Sequence, residues 1–172
     1  PYRMYPSGDN NTKNPFFDNL YRDRRDIHHD LNANLYAIVK LPFGFEYQMN
    51  FTPRYHWYEY MNHESAEHPE WAGDGGRSER KNEKTFNWQV DNILRWKKEF
   101  GEDHRVEATF LQNAEKGQWW KTVAQNKLYS PSDILGFHNI GAGTAPSVSS
   151  EDTYKTGDAL MGRLFYSFKD KY

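Results

Sequence analysis

The chain has 172 residues, no cysteine, 27% charged side chains against 17% aromatic ones, and a net charge of -2. Without cysteine there is neither a disulfide framework nor a thiolate metal site, and the slightly negative balance supplies no electrostatic footprint for nucleic acid. A mean hydropathy of -1.04 beside so many aromatic rings excludes an ordinary Leu/Ile/Val core.

A chain this long buries roughly 70% of its unfolded surface when it folds as one domain. Here a core would have to come from Tyr, Phe and Trp, whose polar atoms need partners or a wet boundary. A membrane barrel removes the difficulty, because only one face of each strand must be apolar. No stretch reaches the roughly 20 apolar residues of a membrane helix, and Pro1 to Asn10 has no basic-then-apolar leader pattern.

Residues 1–30 hold Pro, Gly, Asn and the charged run Arg22-Asp23-Arg24-Arg25-Asp26 without periodicity, and are read as an extracellular loop. Five strands follow, at about 31–42, 45–61, 84–100, 104–120 and 157–169. The first alternates Leu31, Ala33, Leu35, Ala37, Val39 and Leu41 with Asn32, Asn34, Tyr36 and Lys40, a period of two. The second sets Phe45, Tyr47, Met49, Phe51, Pro53, Tyr55 and Trp57 against Glu46, Gln48, Asn50, Thr52, Arg54 and His56.

The third places Phe86, Trp88, Val90, Leu94 and Trp96 against Thr85, Asn87, Gln89, Asp91, Arg95 and Lys97. In the fourth, Val106, Ala108 and Phe110 oppose Arg105, Glu107 and Thr109; in the fifth, Leu160, Leu164, Tyr166 and Phe168 oppose Arg163, Ser167 and Lys169. Pro42-Phe43-Gly44 and Gly101-Glu102-Asp103 are tight hairpin turns, whereas residues 62–83 and 127–156 are long polar loops. Short turns on one side and long loops on the other is the outer-membrane barrel arrangement.

Three-residue turns match apolar faces across each hairpin. They oppose Leu41 to Phe45 and Lys40 to Glu46, then Lys98 to Val106 and Lys97 to Glu107, giving each hairpin an opposite-charge pair. Gly44 suits the left-handed third position of such a turn, with Asp103 its counterpart in the second. Tyr47 and Trp57 lie ten residues apart on one face, which at about 3.3 Å per residue and about 40° of tilt spans roughly 25 Å, the height of an apolar band. Two features resist the pattern. Pro53 removes a ladder donor and needs a bulge or open edge, and Asn92 and Gln112 are polar in nominally lipid-facing rows, through a slip of register or a position outside the bilayer.

Motifs for chemistry are weak. His63-Glu64-Ser65-Ala66-Glu67-His68 puts Glu67 where a zinc-protease helix needs its second His. His28-His29 point to opposite faces on a strand, Gly73-Asp74-Gly75-Gly76 and Gly141-Ala142-Gly143 lack the context of phosphate loops, and no Ser-His-Asp arrangement is signalled. The chain is read as no enzyme, with no cofactor and no metal. Ligand contacts are expected from Arg54, His56, Tyr58 and Tyr60 on the polar face of the second strand, and from Trp71 in a loop. Trp119 and Trp120 either stack on a sugar or serve as girdle and loop-packing residues.

The last strand, Gly162-Arg163-Leu164-Phe165-Tyr166-Ser167-Phe168-Lys169-Asp170-Lys171-Tyr172, resembles the barrel-strand signature of SusC/RagA-type TonB-dependent transporters. The first hairpin, Asn34-Leu35-Tyr36-Ala37 through Phe43-Gly44-Phe45-Glu46-Tyr47-Gln48-Met49-Asn50-Phe51, is similar to an upstream hairpin of that family. The resemblance covers essentially the whole chain. It implies import of glycans or peptides across the outer membrane of a Gram-negative bacterium, with a SusD-like surface lipoprotein as partner. It also implies a barrel of about 22 strands around a plug that engages the TonB complex, so the chain is expected to be a piece of a wall completed by the remainder of the barrel and by outer-membrane lipid. The alternatives are a carbohydrate-binding β-sandwich and another small outer-membrane barrel without transport coupling.

Overall fold

The computed structural model describes Tyr5, residues 14–101 and residues 103–169. The family-like signature is therefore described only as far as Lys169, and much of the opening loop lies outside the described residues. Where that loop was expected to continue, a helix, α1 (Pro15–Tyr21), and a strand, β1 (Arg22–Asn32), are found. Asn14 starts α1 by accepting the Phe16 N–H, and Pro15 occupies the first turn, where its missing N–H costs nothing.

Beyond β1 come β2 (Leu35–Lys40), β3 (Phe45–Glu64), β4 (Arg77–Phe100), β5 (His104–Lys127) and β6 (Ser147–Phe168). They form one sheet in the order β1-β3-β4-β5-β6, and β2 also pairs with β3. The single strand expected at about 31–42 is thus two strands on one edge of β3. Their interruption explains Pro53: strand pairing is interrupted at Ala33-Asn34, and the Ala33 N–H donates to the Pro53 carbonyl at 3.1 Å. Pro53, with no N–H to offer, faces a gap in its partner's ladder.

The strands also run further than their apolar alternation. β3 continues through Glu64, β4 begins at Arg77, β5 reaches Lys127 and β6 begins at Ser147. The connections shrink to 65–76 and 128–146. The added segments are mostly polar on both faces, so they carry little period-two signal, yet they belong to the same sheet.

The first hairpin holds the expected register. Lys40 lies opposite Glu46 and Leu35 opposite Phe51, and the Leu41 N–H donates to the Phe45 carbonyl at 2.9 Å. The ion pair differs from expectation, since Glu46 takes the Arg95 guanidinium at 3.0 Å. In the second hairpin Lys97 meets Glu107 at 3.5 Å, although Arg105 holds the same carboxylate more closely at 2.6 Å. Gly44 has φ +86°, and a Cβ there would lie 2.3 Å from the Lys97 carbonyl oxygen. Among the described residues of the second turn, Gly101 at the first position is left-handed, φ +66°, and Asp103 is not.

The chain divides into two compact units. Unit 1 comprises Pro1–His29, Trp57–Lys84 and Trp120–Asp152; unit 2 comprises Asp30–His56, Thr85–Trp119 and Thr153–Tyr172. In unit 1 the described interior is polar. Asn62, Glu64, His68, Ser78 and Asn126 are buried, and Phe137 is the buried hydrophobic residue among the described ones. In unit 2 the apolar residues are left outside. Leu35, Leu160 and Leu164 are 58–74% exposed, and Phe45, Met49, Leu94 and Phe110 are exposed as well. A protein with water on all sides rarely keeps so continuous an apolar face.

Cross-strand contacts in unit 2 confirm which residues share a face. Phe45 packs with Trp96 and Tyr55 with Phe86, each at 6.1 Å, while Arg95 reaches Glu46 and Gln48. The polar intruders in the apolar rows bond to one another. Tyr47 Oη donates to Asn92 Oδ1 at 2.6 Å, Asn92 Nδ2 to Gln112 Oε1 at 2.7 Å, and Gln112 Nε2 to Asp158 Oδ1 at 2.8 Å. This bar crosses β3 to β6. Register does not slip, because Asn113 and Asp91, one residue away on the adjacent strands, bond at 2.6 Å. Mutual bonding removes most of the cost of amides on an apolar face.

Candidate functional site

The expected ligand residues alternate along β3, and the two units hold them differently. In unit 2, His56 Nδ1 lies 2.9 Å from Asp30 Oδ1, and Arg54 reaches the same oxygen at 3.9 Å. The Arg54 side chain is 61% exposed, so its guanidinium is presented rather than consumed. Composition alone puts Asp30 in the opening loop. As part of β1 it is the anchor of both expected residues.

In unit 1, Tyr58 donates its hydroxyl to Asp26 Oδ1 at 2.8 Å and stacks on His28 with ring centroids 4.5 Å apart. Arg24 holds the other Asp26 oxygen at 2.8 Å and covers Tyr60 at 5.3 Å. Lys81 from β4 stands over both phenol rings, 4.9 Å from Tyr58 and 5.4 Å from Tyr60, a cation–π arrangement. Arg24, Asp26, His28 and Lys81 were not singled out by sequence. The available signal was the one-residue alternation Arg22, Arg24, Asp26, His28, Asp30, which carries no apolar partner row to make it visible.

Trp71 lies in the 65–76 connection, stacked on His68 at 3.9 Å with planes 21° apart. His68 is only 1% exposed and receives Phe17 and Tyr21 of α1 edge-on. Its Nδ1 accepts the Glu70 N–H at 3.1 Å, so a neutral ring carries its proton on Nε2, 3.4 Å from Asp18. One face of the Trp71 indole is therefore already covered by protein.

A Ser-His-Asp constellation does occur in unit 1. Ser78 Oγ is 2.9 Å from His63 Nδ1, and His63 Nε2 is 3.6 Å from Asp133 Oδ2. Ser78 is 0% exposed, so no acyl group can reach its oxygen. Asp133 instead accepts the Ala66 N–H at 2.7 Å, and backbone bonds from Leu128 and Tyr129 to Asp74 and Gly75 join the same two connections. Burial pushes the nearby Tyr129 phenol up, with the Asp133 charge adding to the effect. The cluster is a latch between connections. Among the described residues no group of three His, Asp or Glu side chains is placed to hold a metal ion.

No family model matches the chain. Over 105 residues, 59% of the chain, it is 27% identical to the TonB-dependent receptor P26 of Formosa agariphila, of which the match covers 10%. Among solved structures, the RagAB peptide transporter aligns with a TM-score of 0.82 over 98% of the chain at 16% identity, covering 19% of that protein. The RagAB peptide importer in its open-open state gives 0.79 over 99% at 16% identity, covering 19% as well.

The fold is that of a SusC/RagA-like TonB-dependent barrel wall. The chain spans 19% of the length of those solved relatives and 10% of the receptor. A barrel wall accounts for the features a soluble fold leaves unexplained: a single sheet, an apolar face kept outside, and a polar face lined by Arg54, His56, Tyr58 and Tyr60. The β-sandwich alternative requires a second sheet packed on the first, and the described strands form one sheet. The relatives are receptors and transporters by name, not enzymes.

Proposed function

We propose that this chain is wall and loop from a TonB-dependent outer-membrane transporter that imports peptides or glycans in a Gram-negative bacterium, with a SusD-like lipoprotein at its mouth. The observation that carries the proposal is the two-sided sheet. One face is an apolar row with aromatic residues at its ends, suited to lipid, and the other presents ionic and phenolic groups suited to a polar ligand. Arg54, His56, Tyr58 and Tyr60 lie along the lumen on this reading, and Trp71 stands in an extracellular connection. The TonB complex acts through a plug carried elsewhere in the protein. Arg54→Ala and Tyr58→Ala in the full-length transporter should each lower uptake about tenfold, the worth of one charge-assisted contact, while heat-modifiable gel migration shows that the barrel still folds. Unchanged uptake in both variants would remove this row from the ligand path.

A further inference from the structure

Unit 2 holds two adjoining recesses that carry the polar surface beyond the β3 row onto β4, β5 and β6. One, of about 270 Å³, is lined by Thr85, Asn87, Gly117, Trp119 and Lys155 among others. The other, of about 290 Å³, shares Asn87, Gly117 and Lys155 and adds Arg54 and Glu115. Two glycines shape them. A Cβ on Gly117 would lie 2.7 Å from Asn87 Oδ1 and 3.3 Å from Lys155 Cε, so its absence lets an amide of β4 and the stem of a β6 lysine close over β5. A Cβ on Gly157 would lie 2.8 Å from Glu115 Oε1, so a second missing side chain seats a carboxylate.

The recesses thus gather charges of both signs, a carboxamide and an indole. Lys155 and Glu115 are exposed, and neither is taken up by an ion pair among the described residues. Arg54 is held only at 3.9 Å by Asp30. Sugar hydroxyls can hydrogen-bond each of these groups, but a neutral sugar brings no opposite charge to two cations and a carboxylate. A peptide offers a carboxylate, an ammonium group and backbone amides together.

We propose that these recesses form a peptide subsite, in which Lys155 and Arg54 receive a terminal carboxylate, Asn87 bonds a backbone amide, Glu115 faces ammonium or N–H groups, and Trp119 packs on a side chain. This rests on the transport reading above and narrows its substrate to peptides. Trp119, which by sequence either stacks on a sugar or serves as a girdle and loop-packing residue, is here the surface for a peptide side chain.

The test uses the full-length transporter in detergent, with synthetic oligopeptides bearing a free carboxy terminus and the same peptides amidated. Lys155→Ala should weaken binding of the free acids about tenfold and leave the amidated peptides unchanged, and Trp119→Ala should weaken both. Wild-type affinity in both variants, or wild-type protein that binds neutral oligosaccharides and no peptide, would overturn the subsite. Energised uptake in whole cells is read separately. If binding is unaltered in the variants but uptake still requires TonB, only the subsite falls; if wild-type uptake is indifferent to TonB, the transport reading falls with it.

Discussion

The two units solve the problem of polar and apolar groups in opposite ways. Unit 1 buries Glu64, His68, Ser78 and Asn126 and gives each a polar partner, through the Arg77 guanidinium, the Glu70 N–H, His63 and the carbonyls of Ile140 and Gly143. Unit 2 buries almost nothing and leaves Leu160, Leu164 and Met49 outside. A polar interior depends on complete pairing, since each orphaned buried group costs about 1–3 kcal/mol. A wall whose apolar face meets lipid depends on backbone pairing and turn geometry instead. Substitutions should therefore hurt for different reasons in the two units.

The largest effect is expected in unit 1. Glu64 has a side chain only 5% exposed and is held by Arg77, with Arg22 at 3.6 Å. Arg77→Ala leaves that carboxylate buried with its nearer cation gone, at a cost of about 3 kcal/mol, readable as a lower urea midpoint of the folded barrel. In unit 2 the sensitive position is a turn. Gly44→Ala imposes a positive φ on a residue with a side chain and drives its Cβ into the Lys97 carbonyl, costing about 2 kcal/mol in the same measurement.

The smallest of the three effects lies on the apolar face of unit 2. Gln112→Leu breaks two bonds of the Tyr47-Asn92-Gln112-Asp158 bar and should cost about 1 kcal/mol. Replacing Asn92, Gln112 and Asp158 together by Leu should recover much of that loss in lipid vesicles. If the triple variant is worse than the single one, the bar contributes more than mutual satisfaction of its own amides.

Much of unit 2 was legible in the sequence because its two faces differ in chemistry. Phe45 to Trp57 alternates cleanly, so strand, face and register followed, and Gly44 marked the turn. β1 was not legible. Arg, Asp and His occupy both of its faces, and its strand character comes from β3, which supplies Tyr58 for Asp26 and His56 for Asp30. The latch of His63, Ser78 and Asp133 was hidden for another reason, since its members lie on a strand end, the next strand and a distant connection. Of the proposed ligand residues, Arg54 and Tyr58 are candidates from alternation alone. Lys155 and Asn87 become candidates only when two glycines bring β4, β5 and β6 side chains together.

Since the chain contains no cysteine, single cysteines report on each face without background from this segment. Placed one at a time from Tyr47→Cys to Trp57→Cys in the full-length protein in vesicles and labelled with a fluorophore, they read the environment of β3 directly. A lipid-dissolved quencher should act strongly at Met49, Phe51 and Tyr55 and weakly at Gln48, Asn50 and Arg54, with a water-soluble quencher giving the inverse pattern. Uniform quenching along the strand, or strong lipid quenching at the even positions, would contradict the barrel-wall account.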